Sequence, residues 1–208
     1  ELLYSLVSSI KPKNILEIGT ARGFGTAIMA NAAFDSKIEN CKIVSYDIRN
    51  PKSKINWHAE KHNDNDPFKD RVLSLEDIWN EYDPSKSLME KISFTNHSLL
   101  NSTSKLNNKI DFVFIDGDHT YSGVKNDFES IENYLNPNAV VLFDDYYHGT
   151  SYEIFKFLKQ RSLKIKINFG LYGLKKYVDE VVRRGDYVSW KPSTSNFKRV
   201  NLLIKKKK

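Results

Sequence analysis

Asp116, Asp118 and His119 fall within four residues in the stretch Ile110 to Ser122, IDFVFIDGDHTYS. Carboxylates beside an imidazole are the side chains of proton-transfer chemistry. A histidine with an unperturbed pKa of about 6.5 can take a proton from a substrate group. The residues before them are apolar or β-branched and stop abruptly at Asp116-Gly117. Such a run reads as a fully buried strand of a parallel sheet. In open α/β sheets the ligand sits just beyond the carboxyl ends of these strands. A polar Asx turn is the simpler reading of one isolated Asp-Gly. It loses weight because Ile15 to Thr26 and Val140 to His148 end apolar runs in the same way.

The first of those stretches is strand, glycine loop, helix. Asn14 to Ile18 is a short strand, Gly19-Thr20-Ala21-Arg22-Gly23-Phe24-Gly25-Thr26 is the loop, and Ala27 to Ala33 is small and helix-compatible. Free backbone N–H groups at a helix start favour a carboxylate or phosphate. Glycines let a ligand approach the main chain closely. The pattern is E-x-G-x-x-x-G-x-G, with Glu17 at the strand end, and not the dinucleotide fingerprint G-x-G-x-x-G. The next strand, Lys42 to Ile48, carries Asp47 at its carboxyl end, where an acid can accept hydrogen bonds from ribose hydroxyls. Loop and acid together indicate a nucleoside ligand.

The remaining elements must hold these tips together. Leu2 to Ile10 has helical apolar spacing, and Pro12 ends it. Lys91 to Thr95 is a third strand, followed by Asn96-His97-Ser98. Tyr121 to Leu135 is an amphipathic helix presenting Val124, Phe128, Ile131 and Leu135, and Asn136-Pro137-Asn138 is a turn. Ala139 to Phe143 is a fifth buried strand, stopped by Asp144-Asp145. Tyr152 to Leu163 reads as a helix. Lys164 to Phe169 and Leu174 to Val178 read as a hairpin around Gly170 to Gly173. The expected fold is therefore α/β: a Rossmann-like, doubly wound, mostly parallel seven-stranded sheet with helices on both faces and a C-terminal antiparallel hairpin. One domain over residues 1–208 is expected. Within it, a polar, proline-containing insertion at about 49–90 would act as a lid, since crossovers of this length often bind ligands. A basic tail is expected at about 186–208.

Composition sets the outer bounds. The 208 residues are 40% hydrophobic and 28% charged, as in a soluble globular protein with a sizeable core. No apolar run approaches the roughly 20 residues that span a bilayer. The chain starts at Glu1 without a Met and without a secretory pattern. A single cysteine, Cys41, excludes an internal disulfide and a cysteine-based zinc site, and fits a reducing, cytoplasmic compartment. The net charge of +6 permits an anionic partner, yet the lysines are scattered among acids except at Lys205 to Lys208. Such a run is chiefly a solvated tail.

The motifs LEIGTARGFGT, FIDGDHTYSGVKNDF and VVLFDDY, in that order, resemble the class I S-adenosylmethionine-dependent methyltransferases over roughly Leu2 to Val178. The branch they resemble is the metal-dependent small-molecule O-methyltransferases acting on sugar, macrolide and catechol hydroxyls. That resemblance implies a glycine loop around the methionine moiety at Gly19, Thr20, Gly23 and Gly25. It implies that Glu17 orients the methionine end, that Asp47 binds ribose, and that His97 and Ser98 lie near adenine. It further implies a divalent cation, Mg²⁺ above all, held by Asp116, Asp144 and Asp145, since three carboxylate sources suit a hard cation. Catechol-type members carry Asp-Asn at the second site and a lysine where this chain has His119. Both departures, Asp144-Asp145 and His119, weaken a catechol reading, and His119 looks more like the sugar-modifying members.

The implied function is O-methylation of a small-molecule hydroxyl, a sugar or glycosylated metabolite favoured. Asp116 and the cation would activate the hydroxyl and His119 would take its proton. Membrane partners are not expected, and homo-oligomers stay open. An RNA ribose methyltransferase, or a cofactor-binding protein without turnover, are the alternatives. Base N-methylation is disfavoured because DGDH stands where such enzymes usually show Asn/Asp-Pro-Pro-aromatic. A dinucleotide oxidoreductase is disfavoured by the glycine spacing.

Overall fold

The computed structural model describes residues 1–56, 71–96, 109–144, 170–190 and 201–206. In chain order these form α1 (Leu2–Ile10), β1 (Asn14–Ile18), α2 (Phe24–Asp35), β2 (Lys42–Tyr46), β3 (Ile55–Asn56), β4 (Val72–Leu73), α3 (Leu75–Tyr82), β5 (Ile92–Thr95), β6 (Ile110–Ile115), α4 (Tyr121–Ile131), β7 (Leu135–Phe143), α5 (Gly170–Arg183), β8 (Tyr187–Trp190) and β9 (Asn201–Lys205).

Seven strands make one sheet in the order β5-β2-β1-β6-β7-β9-β8. The first five are parallel to one another, and β9 runs antiparallel to both of its neighbours. Chain order reverses between β1 and β6, which puts a crevice at the carboxyl edge between them. Apolar side chains alternate between two buried layers. Leu16, Ile18, Val113, Ile115, Val141 and Phe143 face α4 and α5. Ile15, Ile43, Phe112, Phe114 and Leu142 face the side covered by α1, α2 and α3. Phe112 and Phe128 are fully enclosed, and burying each contributes about 1.5–3 kcal/mol. Ala30, Ala32 and Ala33 let α2 lie close on the sheet.

Several boundaries follow from local chemistry. Ser74 and Asp77 form a reciprocal capping box that starts α3 at Leu75. Helix α4 ends at Ile131, and a single 3₁₀ turn, Glu132–Tyr134, carries the chain into β7. The expected turn at Asn136-Pro137-Asn138 lies inside β7 as an irregularity. Ile110 pairs with Leu135, and the next pair is Phe112 with Val140. Asn138 takes a positive φ of 67°, and Asn136 Nδ2 donates to Asp111 Oδ1 at 2.6 Å, which fastens the extra residues.

The C-terminal region corrects two expectations. Leu174 to Val178 is not a strand but part of α5; the expected partner, Lys164 to Phe169, lies outside the described residues. Leu174, Tyr177, Val178 and Val181 repeat at helical spacing, and all four are buried against α4 and the sheet. Gly173 allows the contact, since a Cβ there would collide with the Tyr121 backbone. The antiparallel strands are β8 and β9 instead, in the stretch expected as a basic tail. Lys205 is no solvated lysine: its Nζ donates to the carbonyls of Glu132 and Leu135 at 3.0 and 3.2 Å.

Candidate active site

The strand tips along the carboxyl edge are stitched by backbone hydrogen bonds. Asp47 N donates to Thr95 O, Gly19 N to Tyr46 O, Asp116 N to Ile18 O and Asp144 N to Ile115 O, all at 2.8–3.0 Å. Asp47, Gly19, Asp116 and Asp144 therefore occupy successive positions along one edge. That row places the glycine loop between the Asp47 tip and the acidic tips of β6 and β7.

The loop is tight. Gly19 has φ +96°, and a Cβ there would overlap the Asp116 carbonyl and lie 2.9 Å from Gly117 N. Gly23 N closes a turn onto Thr20 O at 2.7 Å, and Gly23, at φ +77°, caps α2. Ala21 N donates to Asp47 Oδ2, and Arg49 N donates to Asp47 Oδ1, both at 2.8 Å. A cavity of about 270 Å³ opens here, lined by Thr20, Ala21, Asp47, Ile48, Arg49 and Leu75, among others. Asp47 thus sits on a cavity wall with its carboxylate oriented by two main-chain donors. Each of its oxygens keeps a lone pair for a ligand hydroxyl.

Glu17 and Gly25 lie beneath the loop, not on its open side. Glu17 is 1% exposed. Its Oε2 accepts from Thr26 Oγ1 and from Ser45 Oγ, the latter at 2.5 Å, and Thr20 Oγ1 lies 2.5 Å from Ser45 Oγ. Gly25 faces inward, where a Cβ would press on Glu17 Oε1 and the Phe114 ring. Burial is the main cause that pushes the Glu17 carboxyl up to about 7. The Ser45 and Thr26 hydroxyls oppose the shift, and the charges of Asp116 and Asp47 add to it. Trp79 of α3 backs the loop, with its Nε1 2.6 Å from where a Gly23 Cβ would be.

At the tip of β6 the four residues of DGDH have different jobs. His119 Nε2 lies 3.3 Å from Asp116 Oδ1, and the side chains are 20% and 38% exposed. Asp118 turns back instead: its carboxylate accepts from Thr120 N and Thr120 Oγ1 at 2.9 and 3.0 Å. Thr120 in turn caps α4 by accepting from Gly123 N. The Asx-turn reading is therefore right for Asp118. His119 is anchored through its main chain, where its carbonyl accepts from Leu174 N of α5 at 3.2 Å. Gly117 packs against Asp127 of α4, whose carboxyl is pushed up to about 6 by burial and by the Asp118 charge.

Of the residues expected at the site, Gly19, Thr20, Gly23, Asp47, Asp116, His119 and Asp144 meet along this edge. His97, Ser98 and Asp145 lie outside the described residues. Ser45, Thr26 and Trp79 were not foreseen. A serine inside the apolar strand KIVSY, two residues before Asp47, was the available signal for the first.

A methyltransferase-domain family model matches residues 16–146, from β1 through the tips of β6 and β7. The chain belongs to this methyltransferase family. Solved structures share the fold of the methyltransferase across nearly its whole length. An O-methyltransferase from Bacillus cereus in complex with S-adenosylhomocysteine has a TM-score of 0.63 at 17% identity, covering 98% of this chain and 79% of that one. The O-methyltransferase TomG from Streptomyces achromogenes, involved in tomaymycin synthesis and complexed with S-adenosylmethionine, gives 0.61 at 15%, covering 99% and 78%. A Podospora anserina methyltransferase bound to S-adenosylhomocysteine gives 0.62 at 16%, covering 99% and 77%. At these identities the likeness is one of fold. An uncharacterized protein of Acanthamoeba polyphaga mimivirus is 51% identical over 41 residues, a match spanning 20% of this chain and 19% of that protein. No helix among the described residues is long and apolar enough to cross a membrane.

Proposed function

We propose that this methyltransferase transfers the methyl group of S-adenosylmethionine to a hydroxyl of a small molecule, a sugar or glycosylated metabolite. The carrying observation is the placement of the Asp116–His119 pair one strand from the Gly19 loop, on the edge where the fold binds its ligand. Held beside the Asp116 carboxylate, the His119 imidazole is oriented to take the hydroxyl proton as the oxygen attacks the methyl carbon and S-adenosylhomocysteine leaves. General-base help of this kind is worth about 10²–10⁴ in rate. Asp47 would hold the ribose, and the loop N–H groups the methionine carboxylate. Trp79 and Leu75 form a wall beside the loop, which supports a covering role for the stretch around α3.

A divalent cation fits the donor set in part. Asp116 and Asp144 bring carboxylate oxygens to adjacent strand tips, the ligand type that Mg²⁺ takes. Asp145 would complete the set. Among the described residues no group of three potential ligands is assembled. When bound, such a cation supplies Lewis acidity that lowers the pKa of the acceptor hydroxyl.

The test is methyl transfer from labelled S-adenosylmethionine to a panel of glycosides and phenols, with and without chelator, beside the variant Asp116→Ala. Transfer should fall by about 10²-fold or more in the variant while cofactor affinity holds. Equal loss of both would remove the dedicated role of Asp116.

A further inference from the structure

The buried acid beneath the glycine loop does not line the open cavity, yet it is wired to Thr20, which does. We propose that Glu17 acts on the cofactor at one remove, holding Thr20 in place through Ser45 and releasing a proton when the positively charged cofactor docks. This rests on the S-adenosylmethionine reading above and goes beyond it by assigning Glu17 a role without direct contact.

The geometry defines two states. Ser45 Oγ and Thr26 Oγ1 both donate to Glu17 Oε2, so the Ser45 oxygen is left to accept from Thr20 Oγ1. One carboxylate oxygen thereby fastens β2, α2 and the loop to β1. The other oxygen, Oε1, is buried and accepts no hydrogen bond among the described residues. It is the atom left to carry a proton. Among the described residues, that proton has no acceptor in the neutral state, and the charge has no cation beside it in the ionised state. The charged groups facing Glu17 are Asp116 at the tip of β6 and Asp47 beyond β2, both acidic, while α2 contributes only the Thr26 hydroxyl. Buried polar groups without partners are expensive in either form. A ligand with a sulfonium and an ammonium, seated one layer above, favours the carboxylate. The Glu17 O–H bond then breaks, its electron pair stays on Oε1, and the proton passes to buffer. The ionised Oε2 is the stronger acceptor. It tightens the Ser45 and Thr26 bonds, and through Ser45 the position of Thr20.

Burial pushes the carboxyl up to about 7 without ligand, so docking near pH 7 should release a fraction of a proton. The experiment is calorimetric titration of the full chain at pH 7 in two buffers of different ionisation enthalpy. S-adenosylmethionine is compared with S-adenosylhomocysteine, which lacks the sulfonium charge. The expected result is proton release with the first that exceeds release with the second. Affinity for S-adenosylmethionine should rise severalfold between pH 6 and 7.5, because the raised carboxyl gives up its proton over that window. In Glu17→Gln the buffer dependence should vanish, whereas in His119→Gln it should persist. Binding of S-adenosylmethionine with no buffer dependence in the unmodified protein overturns the inference, whether or not the glutamine variant folds. Binding of neither ligand overturns the cofactor reading, and this inference with it.

Discussion

Strand β6 carries an aspartate at each end, and the two have opposite fates. Asp111, at the amino end, accepts from Lys13 N and Asn14 N at 3.0 Å and from Asn136 Nδ2 at 2.6 Å. Its donors come from Lys13 just before β1, from Asn14 of β1 and from Asn136 of β7, so it ties three strands together at the closed end. Asp116, at the carboxyl end, is met by His119 and stays 38% exposed. A carboxylate with one oxygen filled by two main-chain donors and the other bonded to a side-chain amide has little capacity left for a ligand. One that faces a histidine across a crevice retains it. The residue type alone does not distinguish them; the backbone donors within reach do.

Four substitutions would break or sharpen that contrast. The largest effect is expected from Gly19→Ala, which forces a Cβ into the Asp116 carbonyl at a positive φ. It should cost about 4 kcal/mol or more and abolish cofactor binding, read by chemical denaturation and calorimetry. Next, Asp116→Asn should lower methyl transfer by about 10²–10⁴-fold while the melting temperature stays within a few degrees of the parent. A loss of about 1–2 kcal/mol of stability with methyl transfer kept would show that Asp116 resembles Asp111 after all.

Asp127→Asn comes third. The Asp127 carboxyl rises from 3.8 to about 6 in the folded chain. A carboxyl raised on folding contributes stability that is full below about pH 4 and is lost as pH climbs through about 6. Removing its charge should therefore do little at pH 4 and gain about 2–3 kcal/mol above pH 7. Urea melts at both pH values check this, and an equal effect at each would overturn it. The smallest change is expected from Asp111→Ala. Water can reach the freed N–H groups, so the cost should be about 1–2 kcal/mol, with kcat unaltered.

The parallel strands could be read from the chain because each is a short apolar run with a polar stop, and the stops that matter are acids. Asp47, Asp116 and Asp144 were found that way, and so was the glycine loop. Glu17 was found as a residue but not in its setting. Its burial depends on Gly25 letting α2 settle over it, a tertiary contact with no local signature. The hairpin expected over Lys164 to Val178 shows the opposite weakness. Two glycines near a short apolar stretch look like a turn, whereas Gly173 is needed for α5 to approach the Tyr121 backbone. The irregularity in β7 hides for a related reason. Asn-Pro-Asn is ordinary turn chemistry, and only pairing with β6 on both sides shows that the strand continues through it.

Strand β9 sets an order on assembly. Both strands that it joins, β7 and β8, come earlier in the chain. On a ribosome, the outer flank of β7 stays unpaired until residues 201–205 have emerged. That flank belongs to Val140 to Phe143, among the most apolar segments of the protein and the one leading into Asp144. An unpaired apolar strand edge invites association with other chains. The nascent protein therefore passes through a vulnerable interval that ends only when β9 slots in. Residues remote from the tips of β1 and β6 in sequence decide when that edge becomes rigid.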